Sequence, residues 1–295
     1  MRKLRFYLET LLVLSIGKYS SKLPPRKRLA FGRFLGKLLY ILLPKRVKIA
    51  KENLKNSFPK KSRHWVKKTT RGVFENMGIV FAEILSLRWL DDEQIKDYIR
   101  FDNVDLIQKK FEQGRGVILL SAHYGNWEFL AYSVKAYLGL PVQIIVKPLS
   151  NFILDRVINE SRTKGGNSVV SMYEAAFKVV RTLQNGGIIA LLADQSATKD
   201  KDIFVDFFGR KAATFDSPAY FALRYKVPVI VGFAKRYDYY YKVHLVELEH
   251  SDLNFDKEGI YTLTTRYIKL LEEAIREKPE LWLWTHRRWK HNSSE

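Results

Sequence analysis

From Gly116 onward, short apolar runs alternate with helix-patterned segments, and few architectures accept that alternation. VILLS (Val117–Ser121) leads into NWEFLAYSVKAYL, VQIIV (Val142–Val146) into LSNFILDRVINES, and SVV (Ser168–Val170) into YEAAFKVVRTLQ. GIIALLA (Gly187–Ala193) leads into a loop rich in Lys and Asp. VPVIVGFA (Val227–Ala234) and YYKVHLVEL (Tyr240–Leu248) read as two further strands, and a helix over Asp256–Lys278 closes the pattern. The expectation is an α/β fold: a central sheet flanked by helices, with ligands at the carboxyl ends of its strands.

Residues 46–100 read as helices. Val47, Leu54 and Phe58, then Val66, Val73, Phe74, Met77, Phe81, Ile84 and Leu85, recur at helical spacing. The N-terminus is harder to place. Its charged start resembles the beginning of a signal peptide, but Glu9 precedes the apolar run, that run (Leu11–Ile16) is short, and no small-residue cleavage site follows. No window offers the about 20 uncharged apolar residues that a bilayer-spanning helix needs. In Leu29–Pro44, Arg33 and Lys37 share one helical face, while Phe31, Phe34, Leu35, Leu38, Leu39 and Leu42 fill the rest. Such a helix lies in a membrane interface or packs on the protein's own core; two such segments in succession, with dense Lys and Arg between, favour the interface. The expected organisation is residues 1–45 as membrane-associating helices and residues 46–295 as one α/β domain.

Charge narrows the partners. The 51 Lys and Arg outnumber the 31 Asp and Glu, giving a formal charge of +20. Nucleic acid, anionic lipid and phosphorylated substrates all suit such a surface. Nucleic acid is disfavoured, because no RNP-type strand or helix-turn-helix signature accompanies the charge. The chain has no Cys, so a thiol nucleophile, a disulfide and a Cys-ligated metal are excluded. Its six His form neither H-x-x-x-H nor H-E-x-x-H, and no metal is expected.

The chemistry concentrates in LLSAHYGNWEFLAYS. His123 directly follows a buried strand, and Glu128 stands five positions later. On one regular helix that offset is about 140°, so the two side chains meet only if His123 lies in the lead-in loop and Glu128 in the first turn. Gly125 permits the turn, and Asn126 is the candidate N-cap. An imidazole held by a carboxylate is a general base. With no Cys and no G-x-S-x-G elbow, such a base can deprotonate a substrate hydroxyl directly, which gives one-step acyl transfer from thioester to alcohol. Activation of water instead would make a hydrolase.

Other residues carry two readings each. Asp194 and Gln195 end a buried strand on the same rim; they position a substrate or cap the loop. Phe207, Phe208 and Gly209 line an acyl channel or fill core, with core favoured for the rings. Thr214 aids a thioester oxyanion or caps a helix starting near Asp216. Trp282, Trp284 and Trp289 rest at a membrane interface together with Arg287 and Arg288, or Arg287 locks the sheet through a carboxylate. His286 reads as structural.

The strand-His-x4-Glu stretch resembles the late acyltransferases of lipid A biosynthesis, within the wider group of glycerolipid and lysophospholipid acyltransferases. LLADQS (Leu191–Ser196), VDFFGRKAATFDSPAYFALR (Val205–Arg224) and LWLWTHRRWK (Leu281–Lys290) are similar to the family's further blocks, in the family's order over residues 110–290. The resemblance implies a mixed central sheet, His123 as base and Glu128 as its orienting partner. Asn126, Asp194, Gln195, Gly209 and Thr214 are candidate substrate-binding residues, for acceptor or donor. Where the family shows Arg-Pro after the second strand, this chain has Lys147-Pro148, which keeps the charge but not the bidentate fork; Arg156 is the second candidate for the acceptor phosphate. No cofactor is implied beyond the co-substrate, an acyl carrier protein thioester or acyl-CoA. The implied enzyme is a monomer at the cytoplasmic face of the bacterial inner membrane, peripheral or N-terminally anchored, meeting anionic lipids, a glycolipid acceptor and acyl carrier protein. The acceptor is a lipid A precursor, with phosphatidylinositol mannoside or lysophospholipid as alternatives.

Overall fold

The computed structural model describes residues 2–197 and 202–291. The chain opens on α1 (Arg2–Ser21), α2 (Pro25–Leu42), α3 (Pro44–Ser57) and α4 (Arg63–Ser86), followed by α5 (Asp92–Tyr98), β1 (Ile99–Phe101) and α6 (Asp105–Phe111). The expected alternation then runs β2 (Val117–Ser121), α7 (Trp127–Leu138), β3 (Val142–Val146), α8 (Phe152–Thr163), β4 (Ser168–Ser171), α9 (Ala175–Gln184) and β5 (Ile188–Leu192). The remainder is β6 (Asp202–Phe207), β7 (Arg210–Phe215), α10 (Ser217–Tyr225), β8 (Val229–Gly232), β9 (Lys235–Tyr237), β10 (Tyr240–Val243), β11 (Leu245–Glu247) and α11 (Lys257–Glu277).

Among the described residues the main sheet runs β11-β8-β2-β5-β3-β4. Every pair in it is parallel except β11 with β8, so the sheet is mixed. Alternate residues feed two cores. Ile118, Leu120, Ile189, Val229 and Val231 face one side, which α3, α4, α10 and α11 cover. Val117, Ile188, Ala190 and Ile230 face the other, beneath α5, α6 and α7. Burial on both faces is why the strands read as unbroken apolar runs.

Two features depart from the sequence expectation. YYKVHLVEL is not one strand. The chain leaves a small sheet (β1-β10-β9) at Val243 and, past His244, joins the main sheet as β11. A β6–β7 hairpin also stands where no strand was foreseen. Its two-residue turn, Phe208-Gly209, has positive φ at both positions (54° and 68°), the geometry that matches strand twist in a tight hairpin. The usual Asn-Gly or Asp-Gly signal is absent, since Phe208 takes the first position.

The N-terminal helices pack on the catalytic layer through α4. Ser62 caps α4 by accepting from the Trp65 N–H at 3.1 Å. Helix α2 lies against α4 with backbones nearly touching: a Cβ on Gly78 would collide with the Gly32 carbonyl and the Gly36 nitrogen. Helix α1 reaches the C-terminal end of α4, where Gly17 packs on Leu85 and Trp89. Among the described residues no helix is long and apolar enough to cross a membrane.

Candidate active site

Strands β2 and β5 are neighbours, paired in register from Val117–Ile188 to Ser121–Leu192, so the residues just after them share one rim. His123 follows β2 and Asp194 follows β5. The His123 Nδ1 lies 2.8 Å from Asp194 Oδ1, and the His123 backbone N–H donates to Asp194 Oδ2 at 3.1 Å. Trp282 Nε1–H donates to the same Oδ2 at 2.8 Å. Asp194 is buried, with 1% of its surface exposed, whereas the His123 side chain keeps 22%. Burial pushes the Asp194 carboxyl up, but the adjacent His123 and the hydrogen bonds from His123 and Trp282 outweigh it and hold the group below the ordinary carboxylate range. An ionised carboxylate only accepts, which assigns a proton to Nδ1 and makes Nε2 the nitrogen that can act as base.

The expected partner, Glu128, is engaged elsewhere. It lies in the first turn of α7, where Arg162 of α8 grips it with both arms: Nη2 to Oε1 at 2.5 Å and Nε to Oε2 at 2.9 Å. Burial disfavours the Arg162 charge, but Glu128 more than compensates and holds its pKa above the usual value. The correction has a geometric cause. Trp127 stands between the two residues in sequence and sets its ring edge-on to the imidazole at 4.8 Å. The imidazole leans along the rim to Asp194, while the Glu128 carboxylate in the first turn of α7 faces Arg162 of α8.

The loop between them is locked. A Cβ on Gly125, at φ 57°, would collide with the Ala234 carbonyl oxygen. Asn126 caps α7 as expected, accepting from Phe129 N–H at 3.0 Å. Its Nδ2 donates to Glu83 of α4 at 2.9 Å, and Tyr241 O–H donates to the same oxygen at 2.6 Å. Burial raises the Glu83 pKa; Tyr241, Arg236, Asn126 and Arg28 oppose this without cancelling it. Asn126 is fully buried, so it shapes the loop rather than touching a substrate. The C-terminal segment clasps the same loop: Gly125 N–H donates to Leu281 O at 3.0 Å and Leu283 N–H to His123 O at 3.1 Å.

Other residues fall into place around this centre. Gln195 Nε2 lies 3.3 Å from His123 Nε2 and 3.4 Å from Nδ1, across the ring. Lys147 follows β3 on the same rim and is exposed, as is Arg156 on α8. Gly209 is the hairpin turn, and Phe207 and Phe208 are core. Thr214 is fully buried; its hydroxyl donates to Ala212 O at 2.9 Å and accepts from Arg288 Nη2 at 2.6 Å, so it is neither a free oxyanion donor nor a helix cap. Trp282 and Trp284 are buried and Trp289 stacks on Phe207, which removes the membrane-interface reading for this cluster. Arg288 rather than Arg287 is the buried cation, and it anchors the β6–β7 hairpin through Thr214 and the Ala213 carbonyl. His286 is structural as read: its Nε2 accepts from Ser196 N–H at 3.2 Å, and burial brings it down to about 4. Among the described residues no cluster of His, Asp and Glu could hold a metal ion.

Trp282 and Arg162 were not foreseen as site residues. The pairings are long-range, with sequence separations of 88 for Trp282 and Asp194 and 34 for Arg162 and Glu128, and no local spacing marks them. Only the position of Asp194 at a strand end carried a signal.

Fold and site together define an α/β enzyme with an imidazole–carboxylate dyad on the carboxyl rim of a largely parallel sheet. The chain belongs to the bacterial lipid A biosynthesis acyltransferases, whose family model matches residues 1–291. It is thus an acyltransferase. It is similar to a lipid A biosynthesis palmitoleoyltransferase of Escherichia coli, 22% identical over 263 residues, which cover 88% of this chain and 83% of that protein. A lauroyltransferase of lipid A biosynthesis from the same organism is 22% identical over 259 residues, with coverage of 88% and 84%. A lipid A biosynthesis acyltransferase of Haemophilus influenzae is 21% identical over 241 residues, with coverage of 80% and 73%.

Proposed function

We propose that this enzyme transfers a fatty acyl chain from an acyl thioester, carried by acyl carrier protein or CoA, to a hydroxyl of a lipid A precursor. It works at the cytoplasmic face of the bacterial inner membrane. The observation that carries the mechanism is the His123–Asp194 pair, with Nδ1 committed to the carboxylate and Nε2 turned away from it, beside the Gln195 amide. In this reading Nε2 takes the proton of the acceptor hydroxyl as its oxygen attacks the thioester carbonyl. A tetrahedral oxyanion forms, the carbon–sulfur bond breaks, and the imidazolium returns the proton to the leaving thiolate. Asp194 stabilises the imidazolium meanwhile. No acyl-enzyme is involved, in keeping with a chain that has no Cys. The Gln195 amide, next to the imidazole, is suited to donate to the oxyanion. The exposed Lys147 and Arg156 are suited to the acceptor phosphates.

Membrane association draws support from the exposed apolar faces of α1 (Leu4, Tyr7, Leu8, Leu11, Leu12) and α2 (Phe34, Leu38, Ile41, Leu42). With Arg33 and Lys37 nearby, these helices suit shallow insertion at an anionic surface. The test is incubation with acyl carrier thioester or acyl-CoA and a lipid A precursor, with product followed by mass spectrometry. Transfer to the precursor is expected, and His123→Ala is expected to lower its rate by about 10²–10⁴-fold. Free fatty acid as the sole product, or an unimpaired His123→Ala, contradicts the proposal.

A further inference from the structure

Exposed aromatic side chains also gather on the catalytic sheet, away from α1 and α2. Tyr173 and Phe177, in the loop after β4 and the first turn of α9, are 73% and 76% exposed. Leu149 and Phe152, after β3, are exposed beside them. The two loops are tied together, because Met172 N–H donates to Val146 O at 2.8 Å. They are also tied to α1. Asn151 Nδ2 donates to Phe6 O at 3.2 Å and to Glu9 Oε2 at 3.1 Å, and the Phe6 and Phe152 rings meet edge-on at 6.0 Å. The β3–α8 loop thus packs on the Phe6 and Glu9 side of α1, and Phe152, Tyr173 and Phe177 extend the exposed apolar surface beyond that helix.

Exposed Lys147, Arg156, Lys178 and Arg181 intersperse this patch; of these, Lys178 is paired, to Glu174 at 2.8 Å. Aromatic rings among basic side chains are the composition of a surface seated in lipid headgroups. We propose that the β3–α8 and β4–α9 loops form a second lipid-contacting surface, next to α1, so that the bilayer boundary runs along the carboxyl rim of the sheet. This rests on the membrane reading above and extends it from the N-terminal helices to the catalytic layer. Its consequence is the route of the acceptor. Strands β3 and β4 lie two and three places from β2, about 10–15 Å at ordinary strand spacing. A lipid whose headgroup sits at that level can offer its hydroxyl to His123 sideways, without leaving the membrane.

The test compares wild type with Tyr173→Ser/Phe177→Ser, substitutions at exposed positions that leave the core intact. Binding is read by sedimentation with mixed phosphatidylethanolamine–phosphatidylglycerol vesicles. Activity is read with the acceptor either in those vesicles or dispersed in detergent. The double variant is expected to bind vesicles about tenfold more weakly, to acylate vesicle-borne acceptor correspondingly more slowly, and to match wild type in detergent. Wild type that fails to bind vesicles overturns the membrane reading itself. Wild type that binds, with the double variant binding equally well, overturns the second surface alone. A Tyr173→Trp variant reports independently: brominated lipid should quench its added fluorescence, and absence of quenching contradicts contact at this loop.

Discussion

Asp194 accepts hydrogen bonds from the imidazole, from the backbone of His123 and from the Trp282 indole, and these fix both the tautomer and the orientation of the ring. His286 stands close by, neutral, with its Nε2 accepting from Ser196 N–H. Because its pKa falls from 6.5 to about 4 on folding, the unfolded chain binds more protons than the native one between those values. Its contribution to stability is fully present above pH 6.5 and is lost as the pH falls through about 4. Thermal unfolding should therefore show the melting temperature dropping across that window, with a shallower drop in His286→Asn. At this scale His123 was legible, since a His directly after a buried strand with Gly and Asn behind it has few other uses. Its partner was not. The separation of 71 positions from His123 to Asp194 is closed by the adjacency of β2 and β5, which strand order decides and local spacing does not reveal.

Helices α2 and α4 meet through glycines, and the register of that contact governs how the N-terminal layer sits on the sheet. Gly78→Leu would force the backbones apart, and overpacking of this kind costs about 1–3 kcal/mol. Urea denaturation should show that loss as a lower midpoint with the slope little changed. The same helix carries Glu83 and Asn76 into the catalytic layer: Glu83 to Asn126, and Asn76 Nδ2 to Leu281 O at 3.1 Å. Most elements were legible because strand and helix periods differ and the core enforces them. The β6–β7 hairpin was missed because Phe208 occupies a left-handed turn position normally marked by Asn or Asp. The passage from β10 to β11 was missed because the apolar pattern continues across His244 while the chain changes sheets.

For the whole molecule, charge and apolar exposure work together. The +20 chain has no described helix that could span a bilayer, yet it exposes apolar side chains on α1, α2 and the α8–α9 rim. Attraction to anionic lipid is screened at high ionic strength, whereas apolar insertion is not. Vesicle binding should therefore weaken as salt is raised and level off at a residual value. Complete release at high salt would show that the apolar surfaces contribute nothing. In the proposed acyl transfer His123 is the general base, and Asp194 rather than Glu128 holds its imidazole. The most direct measurement is the rate of acylation of a lipid A precursor by folded Asp194→Asn and Glu128→Gln, side by side. The His123–Asp194 dyad predicts a fall of about 10²–10⁴-fold in kcat for Asp194→Asn, and for Glu128→Gln a smaller effect accompanied by lower thermal stability. Full activity in Asp194→Asn with abolished activity in a stably folded Glu128→Gln would contradict it.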